Sequence, residues 1–273
     1  MNFGLGITLY QPEPSALDYL NTLGTLFARV YIFDNGLSND AYKDAIGKEC
    51  YYDFRGKNRG LSAAFNCFLS NAVADDIDYL LILDQDSLYK LDSLQKLMDD
   101  ISRQPIDDDI AIRTCHIVPQ HLANAAKEED RIVEIETVIS SGSFINIHAV
   151  KKHGLAYDEH LFVDYVDIDF CKNIRQKGLK ILSHMNHVVS QQLGYYYKGR
   201  ICHSAVRHYY MVRDLGYFNA KYYSKLTTEL KSLRFLFKDL LIALKEDKSK
   251  KKILYALRGY RDYLLKKHGE YGE

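Results

Sequence analysis

The sequence has little of what marks fibrous, membrane-spanning or secreted proteins. Its 273 residues include only 4 proline and 16 glycine residues, which excludes a collagen-like or linker-rich chain. No run of about 18 apolar residues occurs, so we expect no helix that crosses a bilayer. The first residues carry neither a basic segment nor a sufficiently long apolar one, so we predict no secretory signal.

Cysteine is also scarce, and its spacing fits neither a disulfide framework nor a zinc site. The five cysteines are Cys50, Cys67, Cys115, Cys171 and Cys202. An odd number of isolated cysteines without a C-x-x-C predicts free thiols and a cytoplasmic protein. Hydrophobic residues make up 47% and charged residues 26% of the chain, as in globular proteins of one large or two small domains.

The net charge of zero gives nucleic-acid binding no electrostatic support, but the charges are unevenly distributed. Residues 221–268 contain 14 Lys or Arg and 5 Asp or Glu. Within them, one apolar stripe at helical spacing consists of Leu233, Leu236, Phe237, Leu240, Leu241 and Leu244. The pattern predicts helices that lie on the inner face of the cell membrane, or helices that pack on the main domain or another subunit. We therefore predict a main domain, 1–220, and a basic amphipathic helical extension, 221–273.

The first half of the chain alternates short apolar segments with helical patterns. The segments that we interpret as strands are 3–10, 30–33, 50–54, 79–83 and 111–118. Helical patterns cover 16–27, with Ser15 as the expected cap, 61–73 and 93–101. This alternation predicts an α/β fold with a mostly parallel central sheet flanked by helices. Ligands of such sheets bind beyond the carboxyl ends of the strands.

The strongest local signal is a pair of carboxylates directly after the most apolar strand. Asp84 and Asp86 follow the segment 79–83, at the expected ligand edge of the sheet. Two carboxylates there suit a Mg²⁺ or Mn²⁺ ion that also binds a diphosphate. The three-residue pattern Asp-x-Asp is also common in solvated turns. The apolar strand that precedes it here favours a functional site.

A second acidic cluster lies next to a basic helical pattern at 166–178. It contains Asp164, Asp167 and Asp169. On one continuous helix the first two would share a face and the third would point away. One of the three can cap the helix N-terminus, whereas another can act as a general base if it lies about 3 Å from an acceptor hydroxyl.

A third, weaker signal is the segment 56–66, which contains Gly56, Lys57, Arg59 and Gly60. Glycine permits close backbone approach, and the start of the following helix offers N–H groups to an anion. An ordinary turn between a strand and a helix explains the segment equally well.

Taken in order, these segments resemble glycosyltransferase family 2 enzymes with the GT-A fold, and among them bacterial rhamnosyltransferases of O-antigen and capsule assembly. The matching stretches are ITLYQP, IFDNG, KNRGLSAAFN, YLLILDQDS, ISSGSFI, LFVDYVDIDFC and HSAVRHYYMVRD. The resemblance implies a Rossmann-like catalytic domain over 1–220. It also implies inverting transfer of a sugar, rhamnose from dTDP-rhamnose, to a hydroxyl of a lipid-linked saccharide at the membrane.

The resemblance further implies roles for individual residues. The implied donor-binding positions are Thr8, Tyr10, Asp34, Asn58, Gly60, Asp84, Ser141 and Gly142. Of these, Asp34 would read the pyrimidine base. Asp86, together with Asp84, would hold a divalent Mn or Mg ion, and Asp167 would be the catalytic base. Arg213 would either close over the diphosphate or stabilise its own helix.

Two positions depart from the family pattern. Val166 stands where many relatives have an acidic residue before the base, and Gln191 stands near the place of a metal-binding histidine. His184 or His187 would replace the missing imidazole if the strand register shifted. These departures leave open a degenerate scaffold that binds a nucleotide sugar without turnover. Donors carrying galactofuranose, glucose or N-acetylglucosamine also stay open, because nothing in the sequence identifies the sugar.

Overall fold

The chain forms two compact units. A computed structural model describes residues 1–36, 50–119, 129, 131–191 and 195–272. The first unit comprises Met1–Asn58, Ala64–Tyr157 and Phe170–Gln192, and the second comprises Arg59–Ala63, Asp158–Asp169 and Leu193–Glu273. The domain boundary at residue 220 stays a prediction.

The secondary structure alternates strands and helices in the first half of the chain. The strands are β1 (Phe3–Leu9), β2 (Arg29–Asp34), β3 (Cys50–Phe54), β4 (Tyr79–Asp84), β5 (Ser87–Leu88), β6 (Ile110–Pro119), β7 (Ile132–Glu134), β8 (Ser143–Asn146), β9 (Lys180–Gln191), β10 (Tyr195–Tyr197) and β11 (Arg200–Cys202). The helices are α1 (Pro14–Gly24), α2 (Gly60–Ala74), α3 (Leu91–Ser102), α4 (Ile147–His153), α5 (Val166–Gln176), α6 (Ala205–Tyr222), α7 (Lys225–Ala243) and α8 (Ser249–Leu264). The prediction that Ser15 caps the first helix is wrong, because Glu13 is the N-cap and the fixed φ of Pro14 starts the helix.

The central sheet has the strand order β3-β2-β1-β4-β8-β6-β9-β5, and β7 pairs with β9. Strands β1 to β4 pair in parallel, as do β6 and β9. Most paired residues are therefore parallel, and the predicted α/β class with helices flanking the sheet is confirmed. The sequence did not indicate that β8 runs antiparallel between β4 and β6.

The core of the first unit follows from the alternation of side chains along β1 and β4. On one face, Leu5 of β1 and Leu81 of β4 join a buried cluster with α1 and α3. On the other face β1 has glycine, and a Cβ at Gly6 would lie 2.6 Å from Phe68 of α2. The absence of a side chain at Gly6 thus lets α2 pack directly on the sheet.

The second unit is built around α6, which contacts both α7 and α8. Val212 of α6, Leu236 of α7 and Ala256 of α8 form a buried cluster. The predicted single stripe on α7 is wrong in one respect, since Leu236 is buried whereas its neighbour Phe237 is 70% exposed. Among the helices in the described part of the chain, none is long and apolar enough to cross a membrane.

Candidate active site

Three of the predicted donor-binding residues meet at the carboxyl edge of the parallel strands. Thr8 of β1 pairs in register with Asp84 of β4, and Leu9 of β1 pairs with Asp34 of β2. Thr8, Asp34 and Asp84 therefore end three adjacent strands at one edge. Parallel sheets of this kind bind ligands at that edge.

The segment at Ser141 and Gly142 lies alongside the end of β4. Ser141 Oγ accepts a hydrogen bond from the backbone N–H of Asp84 at 2.9 Å and lies 2.7 Å from the Ser87 hydroxyl. The backbone N–H of Gly142 donates to the Ile82 carbonyl at 2.8 Å. These bonds hold the segment against Asp84, as its predicted place beside the donor requires. Ser87 was not among the predicted site residues.

Asp86 lies two residues beyond β4, with its side chain exposed at the surface. Partial desolvation by the surrounding protein raises the pKa of the Asp86 carboxyl. The next residue, Ser87, pairs with the backbone of Gln191 in the antiparallel pair of β5 and β9. The sheet thus brings the backbone of Gln191 near Asp86, while the Gln191 side chain lies outside the part of the chain that the structure describes.

The residues near β4 fit a divalent cation through their carboxylates. Asp84 and Asp86 offer the oxygen ligands that Mg²⁺ and Mn²⁺ prefer. In the described ranges no group of three or more His, Cys, Asp or Glu side chains could hold a metal. An ion held by Asp84 and Asp86 would take further ligands from water and substrate phosphates.

The two histidines suggested as a replacement for the missing imidazole lie in different surroundings. The register between β6 and β9 does shift, between the pairs Cys115–His184 and His116–Val188. However, His187 Nε2 lies 2.8 Å from Asp100 of α3, and His184 is buried with its pKa lowered to about 4, mainly by desolvation. The register shift thus occurs, and the replacement of the missing imidazole by His184 or His187 stays a prediction.

Thr8 and Tyr10 differ in what they offer a ligand. The Thr8 hydroxyl is buried and has no hydrogen-bond partner among the described residues, which is unusual for a polar group in a protein interior. Tyr10 has an exposed ring, and its backbone N–H and carbonyl bond the Gln85 amide at 2.7 and 3.0 Å. Gln85, the central residue of the acidic motif, therefore fixes the loop after β1. Sequence reasoning did not identify this role.

Asp34 is fully buried and already hydrogen-bonded within the protein. Its carboxylate accepts the backbone N–H of Gly36 at 2.7 Å and the hydroxyl of Tyr52 from β3. These partners fix the orientation of the carboxylate at the end of β2. Each carboxylate oxygen has further lone pairs, so contact with a base stays a prediction.

The loop after β3 contains Asn58 in a half-buried position. Gly60 starts α2 at φ +81°, and a Cβ there would lie 2.5 Å from the Phe162 carbonyl. The N–H of Leu61 donates to that carbonyl at 2.7 Å, and Ser62 Oγ donates to the Leu161 carbonyl at 2.5 Å. The expectation that this helix start offers free N–H groups to an anion is therefore wrong for Leu61. Gly60 thus allows the helix start to pack closely on the Phe162 carbonyl, a role that the donor-binding prediction did not include.

Asp167 lies in the first turn of α5, half-buried, and it interacts with Asp164. Asp164 precedes the helix, which begins only at Val166, and Tyr165 between them has φ +64°. The expectation that Asp164 and Asp167 share a face of one helix is thus wrong. Asp169 is buried and pairs at 2.8 Å with Lys221 of α6.

Asp164 lies in an unusual environment for an acidic residue. Its Oδ1 lies 2.9 Å from Arg207 of α6, and its buried Oδ2 has no hydrogen-bond partner in the part of the chain that the structure describes. Burial raises the pKa of the Asp164 carboxyl to about 7 because desolvation outweighs the attraction of Arg207, and Asp214 and Asp167 add repulsion. A carboxyl that titrates near neutral pH is frequent at functional sites.

The loop before α5 is held by one carboxylate of α6. Asp214 Oδ2 accepts the backbone N–H groups of Phe162, Val163 and Asp164 at 3.0, 3.0 and 3.1 Å. Its Oδ1 accepts from Arg213 at 3.0 Å, and both side chains are fully buried. Arg213 is therefore a structural residue and not one that closes over a diphosphate. Asp214 was missed, although it ends the stretch HSAVRHYYMVRD that carried part of the resemblance.

Solved structures of similar fold define the class. PcManGT, a mannosyltransferase from Pyrobaculum calidifontis determined with GDP-Man and Mn²⁺, aligns with a TM-score of 0.57 at 13% identity, over 98% of this chain and 88% of that one. GalNAc-T7, determined with UDP, GalNAc and Mn²⁺, aligns with a TM-score of 0.58 at 13% identity, over 97% of this chain. This chain spans 56% of the GalNAc-T7 chain. The fold is thus the GT-A fold of glycosyltransferases.

Sequence comparison identifies the family. Residues 16–157, just over half of the chain, match the family described as Glycosyl transferase family 2, and the chain belongs to that family. It is also similar to the dTDP-rhamnosyl transferase RfbF of Shigella flexneri, with 27% identity over 287 residues that cover 93% of this chain and 94% of that protein. The resemblance inferred from the motifs is confirmed.

Proposed function

We propose that the protein transfers rhamnose from dTDP-rhamnose to a hydroxyl of a saccharide acceptor, with inversion at the anomeric carbon. The observation that carries the proposal is the similarity to a dTDP-rhamnosyl transferase over nearly the whole length of both chains. The edge formed by Thr8, Asp34 and Asp84 supports it, because nucleotides bind at this edge of parallel sheets.

At the nucleotide end of the donor, the ends of β1 and β2 would make the contacts. The oriented carboxylate of Asp34 would accept a hydrogen bond from the thymine N–H. The partnerless hydroxyl of Thr8 would gain a partner on binding, which removes the cost of an unsatisfied buried group. Tyr10, Asn58 and Gly60 would complete the donor site, and Ser141 and Gly142 would lie beside the sugar.

Asp84 and Asp86 would hold a Mn²⁺ or Mg²⁺ ion. When bound, such an ion stabilises the negative charge that develops on the leaving diphosphate. Mn²⁺ is present in the structures of PcManGT and GalNAc-T7, which supports the same choice here. Desolvation raises the pKa of the Asp86 carboxyl, and a cation bound there would favour its ionised form.

Asp167 would be the general base. It would take the proton of the acceptor hydroxyl as that oxygen attacks the anomeric carbon from the face opposite the diphosphate. One C–O bond forms while the bond to the diphosphate breaks, so dTDP leaves and the configuration inverts in a single step.

The acceptor would be a lipid-linked saccharide of O-antigen or capsule synthesis, met at the inner face of the cell membrane. The surplus of basic residues over 221–268 supports a place near an anionic surface.

The donor is tested by thermal shift of the full chain with MnCl₂ and dTDP-rhamnose, UDP-galactofuranose, UDP-glucose or UDP-N-acetylglucosamine. We expect the largest stabilisation with dTDP-rhamnose, since a ligand that binds only the native state raises its stability in proportion to the logarithm of its concentration over Kd. A larger shift with one of the other donors would overturn the choice of sugar but not the class of reaction.

The roles of the carboxylates are tested by donor hydrolysis and by transfer to a saccharide acceptor. We expect Asp167→Asn to lower turnover by about 10²–10⁴-fold and to leave donor binding intact, because only the proton transfer is lost. We expect Asp86→Ala to weaken the response to Mn²⁺ by more than about 10-fold. Asp18→Asn, which removes an exposed carboxylate from α1, is the control. Parent-like transfer by both variants would mean that these assignments are wrong, and donor binding without any product would indicate a scaffold.

A further inference from the structure

Helix α7 is apolar on two faces, and within the described part of the chain only one of them is covered. The inner face contributes the buried Ala243 and the buried Leu236, which packs with Val212 of α6 and Ala256 of α8. The outer face carries six large apolar side chains that are between 46% and 72% exposed. These residues, which we call the outer row, are Leu226, Leu230, Leu233, Phe237, Leu241 and Leu244, where Leu244 is the C-cap.

The outer row is contiguous, which distinguishes it from scattered exposed apolar residues. Its members follow one another at intervals of three or four residues. At 100° per residue they fall within an arc of about 80° along the whole helix. Apolar patches of this extent usually mark an interaction surface.

Positive charge borders the outer row along one side. By the same helical geometry, Lys231, Arg234 and Lys238 lie on one side of the row, about 60–120° from its middle. Lys245 follows in the turn after Leu244, and all four side chains are exposed. The acidic residues of α7 are occupied elsewhere: Asp239 is buried against His208, and Glu229 bonds two tyrosines of α8. No carboxylate of α7 therefore neutralises the basic side of the outer row.

We infer that the outer face of α7 binds the surface of a membrane that contains anionic lipid. The outer row would insert among the acyl chains, and the basic side chains would lie at the headgroups, as in interfacial amphipathic helices. Since α7 is not able to span a bilayer, it would lie parallel to the surface. The inference extends the proposed function, because a lipid-linked acceptor would be presented at that surface.

A second copy of the chain is a less suitable occupant of this face. If two outer rows packed on each other about a two-fold axis, the basic side chains of both copies would approach one another. Like charges brought together in an interface oppose association, whereas anionic headgroups attract the same side chains. The charge pattern therefore favours lipid.

The test is flotation of the full chain with vesicles of phosphatidylcholine alone or of an equimolar mixture of phosphatidylcholine and phosphatidylglycerol. We expect flotation with the mixed vesicles only. The triple variant Leu230→Gln, Phe237→Gln, Leu241→Gln should bind at least about tenfold more weakly, because each inserted side chain loses its apolar transfer energy. Lys231→Gln, Arg234→Gln and Lys238→Gln together should weaken binding about fivefold for each charge removed.

Matched controls remove similar groups from exposed positions outside α7. Tyr51→Gln with Ile132→Gln removes exposed apolar surface, and Lys96→Gln with Lys151→Gln and Lys177→Gln removes the same number of charges. Both controls should float like the parent. Point substitutions on the outer face leave the contacts of α7 with α6 and α8 in place, whereas truncation of the chain would destroy these contacts.

Three results would overturn the inference: no flotation of the parent, flotation that the outer-row variant retains, or a parent dimer that this variant dissociates in vesicle-free sedimentation. Donor hydrolysis without vesicles is measured in parallel and should be equal in the parent and the outer-row variant. Flotation involves no donor, so a failure of the proposed glycosyl transfer would show in the hydrolysis assay alone.

Discussion

Replacing Asp214 by asparagine should destabilise the protein strongly while changing its shape very little. Asp214 and Arg213 are both fully buried and hydrogen-bonded at 3.0 Å. The guanidinium also lies 5.0 Å from the ring centre of Tyr210 and 5.2 Å from that of Tyr209. Asp214→Asn keeps an oxygen for the backbone N–H groups of the loop before α5, but it leaves Arg213 without its counter-charge.

The expected cost follows from that unpaired charge. Removing one partner of a buried ion pair costs about 3–5 kcal/mol, because the remaining charge has lost its hydration and gained nothing in return. Since a folded domain has a free energy of unfolding of about 5–15 kcal/mol, the variant should lose a large part of it. Arg213→Met in the same chain should restore part of this loss, because it removes the buried charge and keeps an apolar side chain among the tyrosines.

The measurement is the free energy of unfolding in urea, followed by far-ultraviolet circular dichroism, for the parent, Asp214→Asn and the double variant. A single variant within about 1 kcal/mol of the parent would refute the reasoning, since such values are typical of surface substitutions. So would a double variant less stable than Asp214→Asn, because the unpaired guanidinium would then not be the cause.

Two further predictions concern the same part of the chain. The pKa of Asp164 is about 7 in the folded protein, above the ordinary 3.8. Between about pH 4 and pH 7 the folded carboxyl therefore keeps a proton that the unfolded one has lost, so stability falls as the pH rises through this range. Asp164→Asn should remove about 4 kcal/mol of this pH-dependent loss in the free energy of unfolding, measured in urea at several pH values. If the free energies of variant and parent changed with pH in parallel, the assignment would be contradicted. Gly60→Ala should cost more than about 2 kcal/mol, because its Cβ would meet the Phe162 carbonyl at 2.5 Å. Gly56→Ala, with φ +70° and open space, should cost only about 1–2 kcal/mol in thermal unfolding, and equal losses would exclude the steric cause.

Local sequence was sufficient for the parallel part of the sheet. Apolar runs such as 79–83 are too short for buried helices and are bounded by turn residues, so their identity as strands followed from length and composition. The place of Asp84 at the ligand edge then followed from the direction of β4. Strand β8 could not be placed in this way, because its antiparallel position between β4 and β6 depends on partners that are distant in sequence.

The motif residues were identified from the sequence, but their supporting contacts were not. Asp164 and Asp167 were visible as acidic positions, yet the left-handed backbone at Tyr165 separates the first from the helix. The sequence alone indicated no role for Gln85, within the acidic motif, or for Ser87, directly after it. Their roles became visible only in the structure, where Gln85 bonds Tyr10 and Ser87 contacts Ser141. Such contacts join residues more than fifty positions apart, so no local pattern contains them.

By itself, the sequence determined the alternation of strands and helices, the edge at which Asp84 lies, and the surplus of positive charge near the C-terminus, because each depends on residue type and short-range periodicity. Only the tertiary structure decided that Leu236 is covered while Phe237 is not, that Arg213 is buried against Asp214, and that Asp164 titrates near neutral pH. These properties depend on which side chains lose contact with water. That loss is set by packing between segments far apart in the chain, which the order of residues along it does not reveal.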